Sequence, residues 1–263
     1  MDIKMIVCDL DGTLLRTDKT VSKYTLNMLN KYRAAGVKFA VATARSAIGA
    51  RIFTEVMMPD ALIYNGGAGA VMGGDIIYNQ ELSSKVASHI VRDILRHGHT
   101  YLSAEGEYGF FYNGPPDYSY AIELARHGQR AEHTDFAQGL DVPVHKVRAA
   151  LDMATAQKVA QKFADVDIIS YHGEPWVRFG HIRATKWWAI EACAARFGID
   201  AMEIVAFGDD YNDLEMLKNC GVGVAVANAI PEAKAVADFI CEDNDKDGVA
   251  KWLEARVLKG DLT

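Results

Sequence analysis

The chain has 263 residues, half of them apolar and 24% charged, which is typical of a globular protein with one large domain or two modest ones. Its formal net charge of −7 argues against a general nucleic-acid binder, because such proteins need a basic surface to displace counterions. The charge does not exclude a small anionic substrate, because the local charge of a cleft can oppose the net charge.

The sequence shows no targeting or membrane pattern. The N-terminus runs directly into a strand-like stretch without the features of a signal peptide, and no apolar run approaches the roughly 18–20 residues that span a bilayer. The four cysteines form no C-x-x-C pair and no metal-ligand spacing, which favours buried thiols in a reducing compartment. We therefore expect a cytoplasmic monomer or small homo-oligomer that binds no nucleic acid and no membrane.

Predicted strands and helices alternate over the first 80 residues. Apolar runs predict buried strands at residues 5–8, 37–42 and 61–64. Ser22 can cap a helix that Gly36 ends, and a second helix is predicted near residues 47–56.

The last 80 residues repeat this alternation. Strands are predicted at residues 204–207, 222–226 and 239–240, and helices at residues 186–197 and 214–218, with Pro231 in the first turn of another helix. Alternation of this kind predicts an α/β fold with a doubly wound, Rossmann-like core built on a parallel sheet.

The middle of the chain has a different pattern. A helix is predicted at residues 86–96, an aromatic stretch follows at 101–120, and then come a strand at 147–151, a helix at 156–163 and strands at 168–171 and 176–179. The sequence therefore predicts a core of residues 1–82 and 183–263, with an α+β cap domain of residues 83–182 inserted between the third and fourth strands of the core.

Two carboxylates follow the first predicted strand in the segment Asp9-Leu10-Asp11-Gly12-Thr13. Acids at this end of a buried strand are costly unless something pairs with them, and this edge is where open α/β sheets bind ligands. Such a pair can hold a hard cation or divide nucleophile and acid–base roles. The alternative is a turn in which Asp caps and Gly bends.

Three further segments lie at predicted strand ends or a helix start. Thr43-Ala44-Arg45 supplies a hydroxyl and a cation, Lys186 begins a helix, and Gly208-Asp209-Asp210-Tyr211-Asn212-Asp213 supplies three acids. Each has an ordinary alternative: Thr43 can cap a helix, Lys186 can be a solvated surface lysine, and the acids can cap a turn. Their occurrence together, in this order, indicates one functional site.

These motifs resemble those of the haloacid dehalogenase superfamily, in its Cof-type subgroup of sugar-phosphate phosphatases with a large α/β cap. The resemblance covers essentially the whole chain. It implies a magnesium-dependent phosphatase that acts on a small phosphorylated metabolite, with the inserted cap setting substrate specificity. The resemblance also implies that Asp9 is the nucleophile, which forms an aspartyl-phosphate, and that Asp11 is the general acid and base.

The resemblance further implies a ligand set. Mg²⁺ would be bound by Asp9, the backbone carbonyl of Asp11 and Asp209, and Asp213 would orient these ligands without binding the metal directly. The residues implied to bind or orient the phosphoryl group are Thr43, Arg45, Asn65, Gly66, Lys186 and Asn212. Asn65-Gly66-Gly67 is also explained as a simple tight turn.

Three positions depart from the subgroup pattern, because Ala44, Trp187 and Ala227 stand where the subgroup has glycine. These changes concern substrate choice and the width of the active site, since no catalytic side chain is lost. Two alternatives stay open: a phosphomutase of the same superfamily, and a non-catalytic module that binds magnesium and phosphate. The cap offers Tyr112, His172 and Arg178 as candidate substrate contacts, although most cap aromatics are expected to pack in its core.

Overall fold

The computed structural model describes residues 3–98, 101–115 and 118–257. Its Cα positions form two compact units. The core unit comprises residues 3–44, 51–78 and 185–257, and the inserted unit comprises residues 45–50 and 79–184 as far as they are described. The inserted unit thus takes in residues 45–50, which the sequence pattern assigns to the core.

The strands of the described residues are β1 (Met5–Cys8), β2 (Lys38–Ala42), β3 (Ala61–Tyr64), β4 (Gly69–Met72), β5 (Asp75–Asn79), β6 (Leu102–Gly106), β7 (Gly109–Tyr112), β8 (Ala131–His133), β9 (Lys146–Ala150), β10 (Val166–Ser170), β11 (Trp176–His181), β12 (Ile204–Gly208), β13 (Val222–Ala225) and β14 (Phe239–Ile240). The α-helices are α1 (Lys23–Ala34), α2 (Ala47–Met57), α3 (Ser84–Arg96), α4 (Ser119–Arg126), α5 (Met153–Ala160), α6 (Lys186–Phe197), α7 (Leu214–Asn219), α8 (Pro231–Val236) and α9 (Gly248–Val257). None of these helices has both the length and the apolar character that crossing a bilayer requires.

An eight-stranded sheet in the order β14-β13-β12-β1-β2-β3-β4-β5 organises the core unit. The strands from β14 to β3 pair in parallel, which confirms the predicted doubly wound α/β core. Strand β1 is buried along its whole length between β2 and β12, as its unbroken apolar run predicts.

The sheet also contains two strands that the sequence pattern did not predict: β4 runs antiparallel to β3, and β5 follows it at the edge. Gly73 and Gly74 join β4 to β5 with φ of 59° and 95°. A two-residue turn with both φ values positive suits a hairpin, and Gly-Gly between two short strands was the signal that sequence reasoning missed.

Helix boundaries in the core unit follow the predicted capping residues. The Ser22 side chain accepts a hydrogen bond from the Thr25 N–H at 3.0 Å at the start of α1. Gly198 ends α6 in the left-handed conformation, with φ of 70°, and Pro231 is the first residue of α8.

The inserted unit contains a six-stranded sheet in the order β10-β11-β9-β6-β7-β8. The aromatic stretch that sequence reasoning left unassigned folds into the antiparallel pair β6 and β7, followed by α4. Helix α5 begins at Met153, three residues before the predicted start, because the Asp152 side chain caps it by accepting from the Thr155 N–H.

Strands β6, β9 and β11 give the inserted sheet two faces of different character. Residues of one face join the apolar core that also contains side chains of α3 and α5: Leu102, Ala104, Val147, Ala149, Val177 and Phe179. The alternate residues project from the other face. All the charged residues at the paired positions of these three strands lie on that face: Glu105, Lys146, Arg148 and Arg178.

Candidate active site

Three carboxylates of the core unit converge where β1 and β12 end. Asp9 follows β1, Asp209 follows the neighbouring strand β12, and Asp213 ends a short turn beyond it. One carboxylate oxygen from each lies within 4.8 Å of the others. Because β1 and β12 are parallel neighbours, their carboxyl ends meet at one edge of the sheet, as sequence reasoning predicted.

Lys186 joins this group from the first turn of α6. Its Nζ lies 2.5 Å from Oδ1 of Asp9 and 2.6 Å from Oδ1 of Asp213, and only 2% of the residue is exposed. The alternative of a solvated surface lysine is therefore wrong. Burial alone would lower the pKa of Lys186, but Asp213 and Asp9 outweigh it and hold that pKa above its ordinary value.

Asp213 is fixed through both of its carboxylate oxygens. Oδ1 accepts from Lys186, and Oδ2 accepts the backbone N–H groups of Asp209 and Asp210 at 2.9 and 3.1 Å. A Cβ at Gly208 would lie 2.5 Å from the Cβ of Asp213, so only glycine leaves room for this side chain. These contacts suit Asp213 to orienting Lys186 and the loop of Asp209 rather than to direct ligation.

Asp209 is held by the loop that follows β1. Thr13 Oγ1 donates to Oδ1 of Asp209 at 2.6 Å, and a Cβ at Gly12 would lie 2.5 Å from Oδ2. Gly12 also has φ of 83°, a conformation that glycine adopts without strain. The Gly12 carbonyl accepts from Nδ2 of Asn228 at 2.7 Å. The segment 9–13 thus positions Asp209 as well as Asp9.

Sequence reasoning assigned no role to Thr13 or Asn228. Thr13 stood inside the quoted motif, and Asn228 lay in a segment noted only for its missing glycine. Asn228 Oδ1 additionally accepts the Asn244 N–H at 3.0 Å, and Asn244 Nδ2 donates to the Leu15 carbonyl at 2.9 Å. This chain of amides connects the loop after β1 to the C-terminal part of the core unit.

Strands β2 and β3 contribute the next residues along the same sheet edge. Thr43 follows β2 and is buried, and its carbonyl accepts the Gly66 N–H at 2.9 Å. Asn65 follows β3 with φ of 51°, and a Cβ at Gly67 would lie 2.1 Å from the backbone of Thr185. The turn after β3 therefore packs against the backbone at the start of α6.

The alternative role of Thr43 as the cap of α2 is wrong. That cap is Ser46, whose Oγ accepts the Gly49 N–H at 3.1 Å. Arg45 groups with the inserted unit, where its Nη1 donates to the Gly49 carbonyl at 3.4 Å.

Asp11 does not belong to the three-carboxylate group. Its side chain is partly exposed and accepts from Nζ of Lys19 at 2.8 Å. The structure thus separates the two acids of the first motif: Asp9 is buried against Lys186, and Asp11 faces a solvated lysine. Two carboxylates in such different surroundings can carry different roles.

The site carries an excess of negative charge. Burial raises the pKa of Asp9 well above its ordinary value, with Lys186 opposing and the two other acids adding to the rise. Burial, followed by repulsion from Asp213, raises the pKa of Asp209 to about 7. Three carboxylates therefore face one ammonium group in a poorly solvated place, and a further cation would relieve their repulsion.

The donor set fits a hard divalent cation. Asp9 and Asp209 offer carboxylate oxygens without a histidine or cysteine in the group, which is the chemistry that Mg²⁺ or Ca²⁺ prefers. The Asn212 side-chain amide is buried, and neither its oxygen nor its nitrogen has a hydrogen-bond partner among the described residues. Buried amides are normally hydrogen-bonded, so the Asn212 amide is available to contact a group bound at this site.

The fold and the site define a doubly wound α/β core with acidic residues at the carboxyl ends of its strands, and an inserted α+β unit. A family profile described as haloacid dehalogenase-like hydrolase matches residues 6–253. The chain therefore belongs to the haloacid dehalogenase-like hydrolases, which confirms the predicted family and class of enzyme.

Relatives named as phosphatases align over nearly their full lengths. The chain is 26% identical over 265 residues to 5-amino-6-(5-phospho-D-ribitylamino)uracil phosphatase YbjI of Escherichia coli, covering 98% of this chain and 97% of that protein. It is 27% identical over 250 residues to phosphoglycolate phosphatase of Methanopyrus kandleri, covering 95% of each. A solved structure of a haloalkanoate-superfamily phosphatase from Bacteroides thetaiotaomicron superposes with a TM-score of 0.81 at 24% identity, covering 97% of this chain and 95% of that one.

Proposed function

We propose that this protein is a magnesium-dependent phosphatase that hydrolyses a small phosphorylated metabolite through an aspartyl-phosphate on Asp9. The observation that carries the proposal is the buried contact of Asp9 with Lys186, beside Asp209 and Asp213. Aligned relatives whose names describe phosphatases of small phosphorylated molecules support the same reaction class.

Asp9 and Asp209 would hold Mg²⁺, with the backbone carbonyl of Asp11. The metal supplies Lewis acidity and charge neutralisation for the phosphoryl group. Burial alone favours a protonated Asp9, and a protonated carboxyl is a poor nucleophile. Lys186 counters this through its contact with Oδ1 of Asp9, so its ammonium favours the ionised nucleophile and fixes its orientation.

The reaction would proceed in two displacements. A carboxylate oxygen of Asp9 forms a bond to phosphorus, the bond from phosphorus to the leaving oxygen breaks, and Asp11 gives its proton to that oxygen. Asp11 then takes a proton from a water, the water oxygen attacks the phosphorus of the aspartyl-phosphate, and inorganic phosphate leaves while Asp9 is restored. Thr43, Asn65, Gly66, Lys186 and Asn212 are proposed to hold or orient the phosphoryl oxygens.

The inserted unit is proposed to set substrate choice, as the family resemblance implies. We also propose a reducing compartment such as the cytoplasm, which the four free and buried cysteines support.

The direct experiment is phosphate release from a panel of phosphorylated sugars, nucleotides and vitamins, with the protein supplied with Mg²⁺. We expect release from at least one small monoester without any bisphosphate activator, and none from Asp9→Asn. Turnover that requires a bisphosphate and transfers the group back to substrate would identify a phosphomutase. Absence of any turnover, with intact magnesium and phosphate binding, would identify a non-catalytic module.

A further inference from the structure

The start of helix α6 is bound to α7 by two neighbouring side-chain contacts. Asp213 and Glu215 lie two residues apart, where the turn after β12 enters α7. Oδ1 of Asp213 accepts from Nζ of Lys186 at 2.6 Å, and Oε2 of Glu215 accepts from Oγ1 of Thr185 at 2.5 Å. Two successive residues at the start of α6 are thus bound by the same segment. The contact of Asp213 belongs to the candidate active site, whereas Glu215 lies outside the three-carboxylate group.

Thr185 does not act as an ordinary helix cap. It precedes α6 in an extended conformation and is buried, but its side chain forms no capping hydrogen bond among the described residues. A threonine at this position normally accepts an N–H of the first turn. Its hydroxyl instead donates to Glu215, so it connects α6 to α7 and leaves the first turn of its own helix without a side-chain cap.

The charge of Glu215 suits its position between the two helices. Lys186 places a cation in the first turn of α6, where the helix dipole disfavours it. The carboxylate of Glu215 lies in the first turn of α7 and, through its hydrogen bond to Thr185, also at the start of α6. A negative charge is favourable at both of these helix ends, and Glu215 itself is exposed to water.

The start of α6 has little support other than these contacts and the turn after β3. Thr185 is the first residue of the core unit after the inserted unit, so no earlier helical turn holds Lys186. A Cβ at Gly67 would lie 2.1 Å from the carbonyl carbon of Thr185 and 2.3 Å from the backbone nitrogen of Lys186. Backbone therefore packs closely against one side of these two residues, and the side chains of α7 hold them on another.

We propose that Glu215 and Thr185 are positioning residues whose hydrogen bond fixes the start of α6, so that Nζ of Lys186 keeps its contact with Asp9. The inference rests on the proposed phosphatase function for its catalytic consequence. Neither residue belongs to the group that the reaction is proposed to use, and both act through Lys186, whose Nζ lies 2.5 Å from Oδ1 of Asp9. A displacement of about 1 Å at a catalytic group can lower a rate by roughly 100-fold.

The test uses paired variants at both ends of the hydrogen bond. Thr185→Val removes the hydroxyl with little change of shape, and Thr185→Ser keeps it. Glu215→Leu removes the acceptor, and Glu215→Gln keeps an acceptor oxygen without the charge. Glu191→Leu is the matched control, because Glu191 is an exposed acid on the same helix as Lys186. For each protein, kcat is measured with Mg²⁺ on a substrate found by the phosphate-release panel, and thermal unfolding is measured in parallel.

We expect Thr185→Val and Glu215→Leu each to lower kcat by about 10- to 100-fold. The double variant should lose no more than the more damaging single variant, because both substitutions remove the same interaction. Thr185→Ser and Glu215→Gln should retain most of the activity, and Glu191→Leu should leave it unchanged. The pair Thr185→Val and Thr185→Ser decides the outcome if Glu215→Leu does not fold.

A second readout follows Lys186 without any turnover. The folded proteins are acetylated with N-hydroxysuccinimidyl acetate, and peptide mass spectrometry gives the rate at each lysine. Lys186 is 2% exposed, so its modification in the wild type should be slow. It should be faster in Thr185→Val and Glu215→Leu, and as slow as in the wild type in Thr185→Ser and Glu191→Leu. Lys218, which is exposed on α7, serves as the internal reference and should react equally in all of them.

Two kinetic results would overturn the inference. The first is an unchanged kcat in Thr185→Val and Glu215→Leu with a lower unfolding midpoint, which would make the hydrogen bond structural alone. The second is a Thr185→Ser variant no more active than Thr185→Val, which would assign the threonine to packing.

Failure of the proposed function is distinguishable from failure of this inference. If the wild type hydrolyses no substrate, the phosphatase proposal fails, and the acetylation of Lys186 still decides whether Glu215 and Thr185 hold it. Faster acetylation of Lys186 in Thr185→Val and Glu215→Leu supports the positioning role. Equal acetylation of Lys186 in the wild type and both variants refutes it, whether or not the protein is active.

Discussion

The two units of this protein each hold a buried cluster of charges, and the two clusters are built in opposite ways. In the core unit three acids surround Lys186, all in loops or a helix start beyond the ends of parallel strands. In the inserted unit the charges project from within strands β6, β9 and β11, and cations exceed acids. The first has the excess of negative charge that suits a metal cation, whereas the strands of the second carry more cations than acids at their paired positions.

This difference indicates a division of work. Under the proposed function, the core cluster acts on the phosphoryl group that every substrate shares, and the inserted unit is proposed to set substrate choice. Core variants should therefore affect all substrates in equal proportion. The following predictions test the core half of this comparison.

Asp9→Asn should abolish turnover of every substrate, because a neutral amide is a poor nucleophile and a weaker metal ligand. The variant should still fold, because Asp9 is buried and a neutral amide avoids the cost of removing a charge from water. Steady-state phosphate release measures the effect, and the circular dichroism spectrum of the variant controls for folding. Wild-type rates in this variant on any good substrate would refute the aspartyl-phosphate mechanism.

Removal of divalent metal by chelation should likewise abolish activity, and Mg²⁺ should restore it. A separate readout is binding of Mg²⁺ to the protein alone by calorimetry, which Asp209→Asn should weaken strongly because it removes a proposed ligand charge. Asp210→Asn, one residue away and outside the three-carboxylate group, is the matched control. Full turnover after exhaustive chelation would contradict a metal requirement.

Asp11→Asn should lower kcat by roughly 10²–10⁴-fold, the usual contribution of general acid–base catalysis. Binding of inorganic phosphate should be largely retained, because the Asp11 side chain lies outside the three-carboxylate group and accepts from Lys19. Single-turnover measurements separate the chemical step from binding. Loss of phosphate binding in proportion to kcat would show that Asp11 acts in binding and not in proton transfer.

Thr13→Val should have the smallest effect of the four, a loss of about 10- to 100-fold in Mg²⁺ affinity, as found when a group that orients a metal ligand is removed. The reason is the 2.6 Å hydrogen bond from Thr13 Oγ1 to Oδ1 of Asp209. Thr13→Ser keeps the hydroxyl and should restore the affinity. Equal affinity in the valine and serine variants would assign the threonine to packing alone.

Much of the core unit could be predicted from the sequence. Parallel strands that are buried on both faces have continuous apolar sequences. Strands β1, β3 and β14 begin and end at the residues where the apolar runs begin and end. Ser22 and Gly198 cap helices through contacts with residues close to them in the chain, so the local sequence was enough to predict these helix ends. The acids and Lys186 could be placed together because parallel strands bring their carboxyl ends to one edge.

The tertiary structure alone decided the relations between residues far apart in the chain. Thr13 reaches Asp209, Asn228 reaches Gly12, and Arg148 lies between Tyr120 and Trp176, although none of these pairs shares a motif. The sequence determined the family, the strand pattern of the core and the acids of its site, because those depend on local periodicity and strand-end motifs. Which partner each buried charge meets depends on strand order and register, and those are set by packing across the whole sheet.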